Sequence, residues 1–187
     1  MDREKVSYTY DLIPWTWGEV GLVWRTDTGR SLICRILLPR ARSSMMRTIQ
    51  RDFPGAVPQA EKRNMVCLQI RDFLSGRAAD FDIEELDFGV VKGFKRRVLR
   101  KAGKIPRGRL MTYGGLAKSL GVPGGARAVG NVMAGNPFPL VIPCHRVIRG
   151  DGSLGGFGGG LPMKRALLEM EGVRFDPRGR VLSEYIV

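Results

Sequence analysis

The stretch TYGGLAKSLGVPGGARAVGNVMAG, residues 112–135, decides how the second half of this chain folds. Thr112 carries a side-chain oxygen suited to capping a helix that starts at Tyr113. Leu116, Ala117 and Leu120 fall at helical spacing and mark its inward face. Gly121 suits the position just past a helix, where the backbone turns left-handed. After Val122-Pro123-Gly124-Gly125 a second helix begins at Ala126 and runs toward Gly135. Two helices joined by a short glycine-containing turn form a helix-turn-helix.

The second helix presents small residues: Ala126, Ala128, Val129, Gly130, Ala134 and Gly135. Helices that read base edges in the major groove carry long polar side chains. Small side chains let a backbone come close, either to the minor groove of a duplex or to another helix. The composition leaves both open. Arg127 is the one long side chain on the small patch, placed to wedge into a base stack or to bind a phosphate.

Charge supports a polyanion partner. Residues 1–90 hold 13 Lys+Arg and 13 Asp+Glu, whereas residues 91–187 hold 18 and 5, so the whole net charge of +13 lies in the second part. A one-sided excess of this size points to nucleic acid. The 187-residue chain is long enough to bury a core. It has no apolar run that would span a bilayer. The start MDREKVSY lacks the apolar segment of a secretory signal. We therefore expect a cytoplasmic protein, associated with the nucleoid if the organism is prokaryotic. Three widely spaced cysteines, Cys34, Cys67 and Cys144, do not suggest a disulfide framework, and one histidine without CxxC does not suggest zinc.

The expected fold class is α+β. Residues 1–90 read as an N-terminal α/β domain with an antiparallel sheet. VGLVWRT and SLICRILL are strands joined by the turn Asp27–Arg30. Ser43 or Ser44 caps a helix over SMMRTIQRDF, stopped by Pro54-Gly55. Val66, Ile70, Phe73 and Leu74 define another, ended by Ser75-Gly76. Cys34 and Cys67 read as packed thiols. Near residue 90 the acidic DFDIEELDFG gives way to the basic KGFKRRVLRKAGK. Residues 91–187 read as a mainly helical, winged-helix-like domain that opens with a helix carrying Phe94, Val98 and Leu99.

VIPCHRVI, residues 141–148, sets Cys144 beside the only histidine. LVIP reads as a short buried strand ended by proline. On an extended segment, adjacent side chains point apart, so Cys144 and His145 would communicate through a bridging water. Only a thiolate attacks, and a histidine base needs an acid to orient it. Glu171, in LLEMEG, is the strongest candidate in this half. The loop GSLGGFGGG that follows lacks the signature of a phosphate loop or a dinucleotide fingerprint. It suits backbone approach to a flat substrate. A thiol hydrolase usually brings Cys and His together from distant positions, and a transcription factor leaves His145 unexplained.

At these residues a resemblance emerges. FKRRVL, IPRGRLMTYGGLA, ARAVGNVMAGNP, PCHRVI and GGLPMKRALLEMEG, in that order between Gly93 and Gly172, resemble the 6-O-alkylguanine-DNA alkyltransferase family. PCHRV in that setting is specific to it. Residues 1–90 match only the general character of the family's variable N-terminal domain. The resemblance implies direct reversal of DNA damage. A 6-O-alkylguanine is flipped from duplex DNA, and its alkyl group passes irreversibly to Cys144 in a single turnover. Double-stranded DNA carrying 6-O-alkylguanine, with 4-O-alkylthymine as a second substrate, would be the partner. The protein would be a monomer away from membranes, with no cofactor and no metal. The zinc ligands of some animal members are missing here.

The resemblance also implies roles. His145 and Glu171 match the relay that deprotonates Cys144 through water. Tyr113 matches the donor to the leaving guanine. Arg127 matches the finger that fills the vacated stack, beside the DNA-facing Ala126, Ala128 and Gly130. Asn136 matches the brace between the helix-turn-helix and the thiol loop. Lys164 matches a lysine near the thiol. Met133 and Pro139 match pocket lining, and the carbonyls of Cys144 and Val147 would accept from the guanine amino group. Phe157 stands where most members have tyrosine and Gly158 where some have serine, so hydroxyl contacts to substrate are absent at both.

Overall fold

A computed structural model describes residues 6–40, 44–59 and 65–187. The chain divides into two compact units, Met1–Val90 and Val91–Val187.

The first unit is built on β1 (Ser7–Trp15), β2 (Gly18–Asp27) and β3 (Arg30–Leu37). A two-residue strand, β4 (Val57–Pro58), completes the sheet in the order β3-β2-β1-β4. The first three strands are antiparallel and β4 joins β1 in parallel. The expected hairpin turns at Thr28 and Gly29, whose φ values of 50° and 77° are the paired left-handed values of a two-residue turn matched to strand twist. Strand β1 was not among the expectations. Asp11 and Pro14 argue against a strand, yet nine residue pairs with β2 outweigh them. Pro14 is tolerated because β4 pairs only at Thr9 and Tyr10.

Helix α1 (Met45–Asp52) is capped by Ser44, whose side chain accepts from the Arg47 amide. Ser43 and Met1–Lys5 lie outside the described residues. Met45 and Ile49 pack with Tyr10, Val23 and Cys34. Gly21 lets this helix close on the sheet, since a Cβ there would stand 2.9 Å from Met45 Sδ. Helix α2 (Met65–Leu74) buries Val66, Cys67, Ile70 and Phe73. Burial pushes the Cys34 and Cys67 thiols up to about 11 and about 12, so both are inert packing groups at neutral pH.

The second unit opens with α3 (Gly93–Ala102), which buries Val98, Leu99 and Ala102. Then follow β5 (Met111–Thr112) and the helix-turn-helix, α4 (Tyr113–Lys118) and α5 (Ala126–Ala134). Thr112 caps α4, accepting from Gly115 N at 2.9 Å. At the other end Val122 N reaches Ala117 O and Gly121 N reaches Lys118 O, with Gly121 at φ 74°. This is the six-to-one, five-to-two closure that a left-handed glycine permits. Helix α5 buries Val129 and Met133 and exposes Arg127, Ala128 and Asn131. Beyond it come β6 (Val147–Ile148), parallel to β5, and α6 (Leu161–Met170). No helix among the described residues is long and apolar enough to cross a membrane.

Two local expectations fail. LVIP is buried but is a turn, not a strand: Ile142 N donates to Phe138 O at 2.8 Å and Leu140 adopts φ 73°. Cys144–Arg146 is a single turn of 3-10 helix, not an extended segment. The alternation that would send Cys144 and His145 to opposite faces therefore does not apply.

Candidate active site

The position of Cys144 is set by the corner before it. Asn136 braces that corner, donating from Nδ2 to Ile142 O at 2.9 Å and accepting at Oδ1 from Phe138 N at 3.0 Å. Its amide also favours the ionised form of the Cys144 thiol. Cys144 N closes the turn onto Ile142 O at 2.7 Å. Burial pushes the thiol up, while Asn136, the charge of Lys164 and the amides of Cys144 and His145 pull the other way. The net shift is upward, so thiolate formation requires a base.

His145, the one histidine of the sequence, stands next in the chain. His145 Nε2 lies 2.8 Å from Glu171 Oε1, and both side chains are fully buried. Burial holds the imidazole below its ordinary range, against the pull of Glu171. The neutral form is the one that burial favours. Glu171, at the C-terminal end of α6, also accepts from Gly108 N at 3.2 Å. Arg146 binds it through Nε, at 3.1 and 3.0 Å from the two carboxylate oxygens, and through Nη2 at 2.8 Å. Burial alone would raise this carboxyl. The hydrogen bonds and charges of His145 and Arg146 carry it down instead, to about 2.

Lys164 is completely buried. Its ammonium donates to Val147 O at 2.7 Å and to Leu154 O, tying α6 to β6 and to the glycine-rich loop. Burial lowers it to about 8, against the opposing pull of the Cys144 charge. The Val147 carbonyl is thus already engaged, with one lone pair remaining for a ligand.

A cavity of about 750 Å³ opens at Cys144, lined by Tyr113, Arg127, Met133, Arg149, Phe157 and Gly158 among others. Ala126 and Gly130 line it from α5. Ala128 faces a second hollow of about 720 Å³ with Gly124, Gly125 and Arg127. Pro139 and Val147 are buried and do not line the main cavity. Neither do Asn136, His145, Lys164 and Glu171. The glycine-rich loop lies directly on Tyr113: Gly155 has φ 67°, and a Cβ there would stand 2.9 Å from the phenol oxygen. Burial and the Cys144 charge push this phenol up. Phe157 meets the His145 ring edge-on, with centroids 6.5 Å apart.

Sequence reasoning missed Arg146, Arg149 and Asn131. The last two line the cavity. Arg146 lies within PCHRV, but nothing local says that it reaches Glu171, 25 residues further along the chain.

Known proteins resemble this chain in sequence and in fold. A family model, 6-O-methylguanine DNA methyltransferase, DNA binding domain, matches residues 93–173. A methylated-DNA–protein-cysteine methyltransferase of Methanothermobacter thermautotrophicus is 50% identical over 107 residues, 57% of this chain and 60% of that relative. The chain thus spans about 60% of the length of the curated relatives it matches. Among solved structures, the O6-methylguanine methyltransferase of Mycobacterium tuberculosis superimposes with a TM-score of 0.69 at 32% identity, covering 89% of this chain and 93% of that one. The M. tuberculosis OGT in complex with DNA gives 0.68 at 32%, covering 88% and 92%. Likeness that runs through both units, at this identity and coverage, has one reading: the chain belongs to the O6-methylguanine-DNA methyltransferase family.

Proposed function

We propose that this protein repairs DNA by direct reversal, moving an alkyl group from the 6-oxygen of guanine in duplex DNA to Cys144. The observation that carries this reading is that Cys144 lines the cavity while His145 and Glu171 lie buried outside its lining. A nucleophile faces the substrate space with its base sheltered from solvent.

The chemistry balances. The Cys144 thiol gives its proton to His145, directly or through one water. Glu171 holds the imidazole by Nε2, so Nδ1 carries the basic lone pair. Sγ then attacks the alkyl carbon. The S–C bond forms as the C–O bond breaks, and the electron pair leaves with guanine. Tyr113 donates a proton to the departing ring, which offsets the one lost by the thiol. The product is a thioether, which does not revert, so each molecule acts once.

The reacting carbon lies inside a duplex, so the base must leave the stack. Helix α5 suits this, with exposed Ala128 and half-buried Ala126 and Gly130 permitting close approach and exposed Arg127 projecting from them. Met133 lines the pocket from α5. Phe157 and Gly158 offer no hydroxyl, but Gly158 lines the cavity with open space at its Cα and can donate its backbone N–H. The cellular setting is the cytoplasm, and the protein acts as a monomer.

Intact-mass measurement with peptide mapping, after incubation with a methylguanine-containing duplex, tests this. The expected result is a gain of one methyl group on Cys144. An unchanged mass with tight lesion binding would make the protein a lesion binder instead.

A further inference from the structure

Arg146 stands directly after the base, yet its side chain turns away from the cavity. Its Nε and Nη2 both bind Glu171, and Nη1 donates to Ile105 O at 2.6 Å. Three of its nitrogens are thus committed, and the side chain is only 11% exposed. Glu171 Oε1 is shared between His145 Nε2 and Arg146, while Oε2 accepts from Gly108 N and Arg146 Nε.

Alone, a buried carboxylate 2.8 Å from an imidazole would tend to keep a second proton on the ring. An imidazolium has no lone pair with which to take a proton from a thiol. A hydrogen-bonded carboxylate therefore orients the base and, uncompensated, also disables it. A guanidinium on the same carboxylate leaves the orientation and offsets part of the charge felt at the imidazole. We propose that Arg146 is a positioning residue of the relay: its two-pronged grip on Glu171 fixes the carboxylate against His145 Nε2 and offsets part of its charge, so that His145 rests as the neutral tautomer able to accept the Cys144 proton. This rests on the alkyl-transfer reading above and adds to it the group that keeps the base ready.

The charged and titratable groups facing His145 are Arg146 and Glu171, with Lys164 and Cys144 close by. Arg107 anchors the Ile105–Gly108 turn, donating to Met170 O at 2.8 Å. Burial weighs most against a proton on the imidazole, Arg146 and Lys164 add to it, and Glu171 favours one.

His145 is the only histidine, so one imidazole resonance reports on it without assignment by mutation. The experiment is an NMR titration of full-length protein labelled in histidine, with Arg146→Gln, Arg146→Lys and the double variant Arg146→Gln/Glu171→Gln. Wild-type His145 stays neutral through neutral pH. Arg146→Gln leaves Glu171 uncompensated and moves the midpoint up by about one unit or more. Arg146→Lys keeps the charge and stays near wild type. The double variant removes both charges and titrates no higher than wild type, since Glu171 raises His145 more than Arg146 lowers it.

An Arg146→Gln protein that is folded and titrates like wild type overturns the proposal. Should Arg146→Gln fail to fold, the double variant decides, because its two buried charges are removed together. A midpoint there raised by a full unit would show that Glu171 is not what Arg146 compensates, and would overturn the proposal. Transfer from free 6-O-benzylguanine, followed against pH, separates this from the function itself. No alkylation of wild-type Cys144 would sink the alkyl-transfer reading whatever the titration shows. Given transfer, the alkaline shift expected for Arg146→Gln is absent if Arg146 serves only as scaffold.

Discussion

Glu171 Oε1 lies 2.8 Å from His145 Nε2, and neither side chain is reached by solvent. Such a pair can persist only because Arg146 and the Gly108 amide complete the carboxylate's partners. Glu171→Gln would remove the anion and strand the Arg146 charge. We expect a loss of about 3–5 kcal/mol in urea unfolding, the cost of breaking a buried pair from one side.

The same carboxyl predicts acid sensitivity. Its folded pKa of about 2 lies below the ordinary carboxylate value of 4.5. The stability it contributes is therefore fully present above the ordinary value and is lost as pH falls toward the folded one. Unfolding free energy followed from pH 6 downward should fall across that interval for wild type. Glu171→Gln should show a shallower fall.

Cys144→Ala should abolish transfer while retaining binding to alkylated duplex, because the rest of the cavity lining and α5 are untouched. Any measurable alkyl transfer by that variant, followed by mass, would sink the assignment of the acceptor.

Arg127 is exposed on α5 and lines the cavity. Arg127→Ala should slow repair in a duplex more than reaction with free 6-O-benzylguanine, because only the duplex requires a base to leave its stack. Equal slowing of both in single-turnover kinetics would remove the wedge role. Duplex affinity should also drop steeply between low and physiological salt if the basic second half binds phosphate.

Two glycines of one loop should behave differently. Gly155→Ala places a Cβ 2.9 Å from the Tyr113 hydroxyl at φ 67°, so strain of about 1–3 kcal/mol and a displaced phenol are expected. Gly158→Ser meets nothing within 4 Å at its Cβ, so thermal stability should stay within about 0.5 kcal/mol. Equal thermal shifts would contradict the packing of the loop on Tyr113.

The helix-turn-helix was legible because its determinants are local. Thr112, the Leu116–Ala117 face and Gly121 act within one or two turns of where they stand. The Thr28–Gly29 hairpin was legible for the same reason. Strand β1 was not, because its stability comes from pairing with β2 and not from its own residues.

From residue types in order came the thiol, its histidine neighbour, the acidic candidate and the basic half. The tertiary structure alone decided how they meet. The Asn136 brace and the left-handed Leu140 bend VIPCHR into a corner and a tight turn where alternation suggested a strand. Lys164 crosses 17 residues to Val147, and Arg146 crosses 25 to Glu171. Capping and periodicity act along the chain and can be read there. A buried charge is satisfied by whatever the fold brings to it, and that partner has no fixed spacing in the sequence.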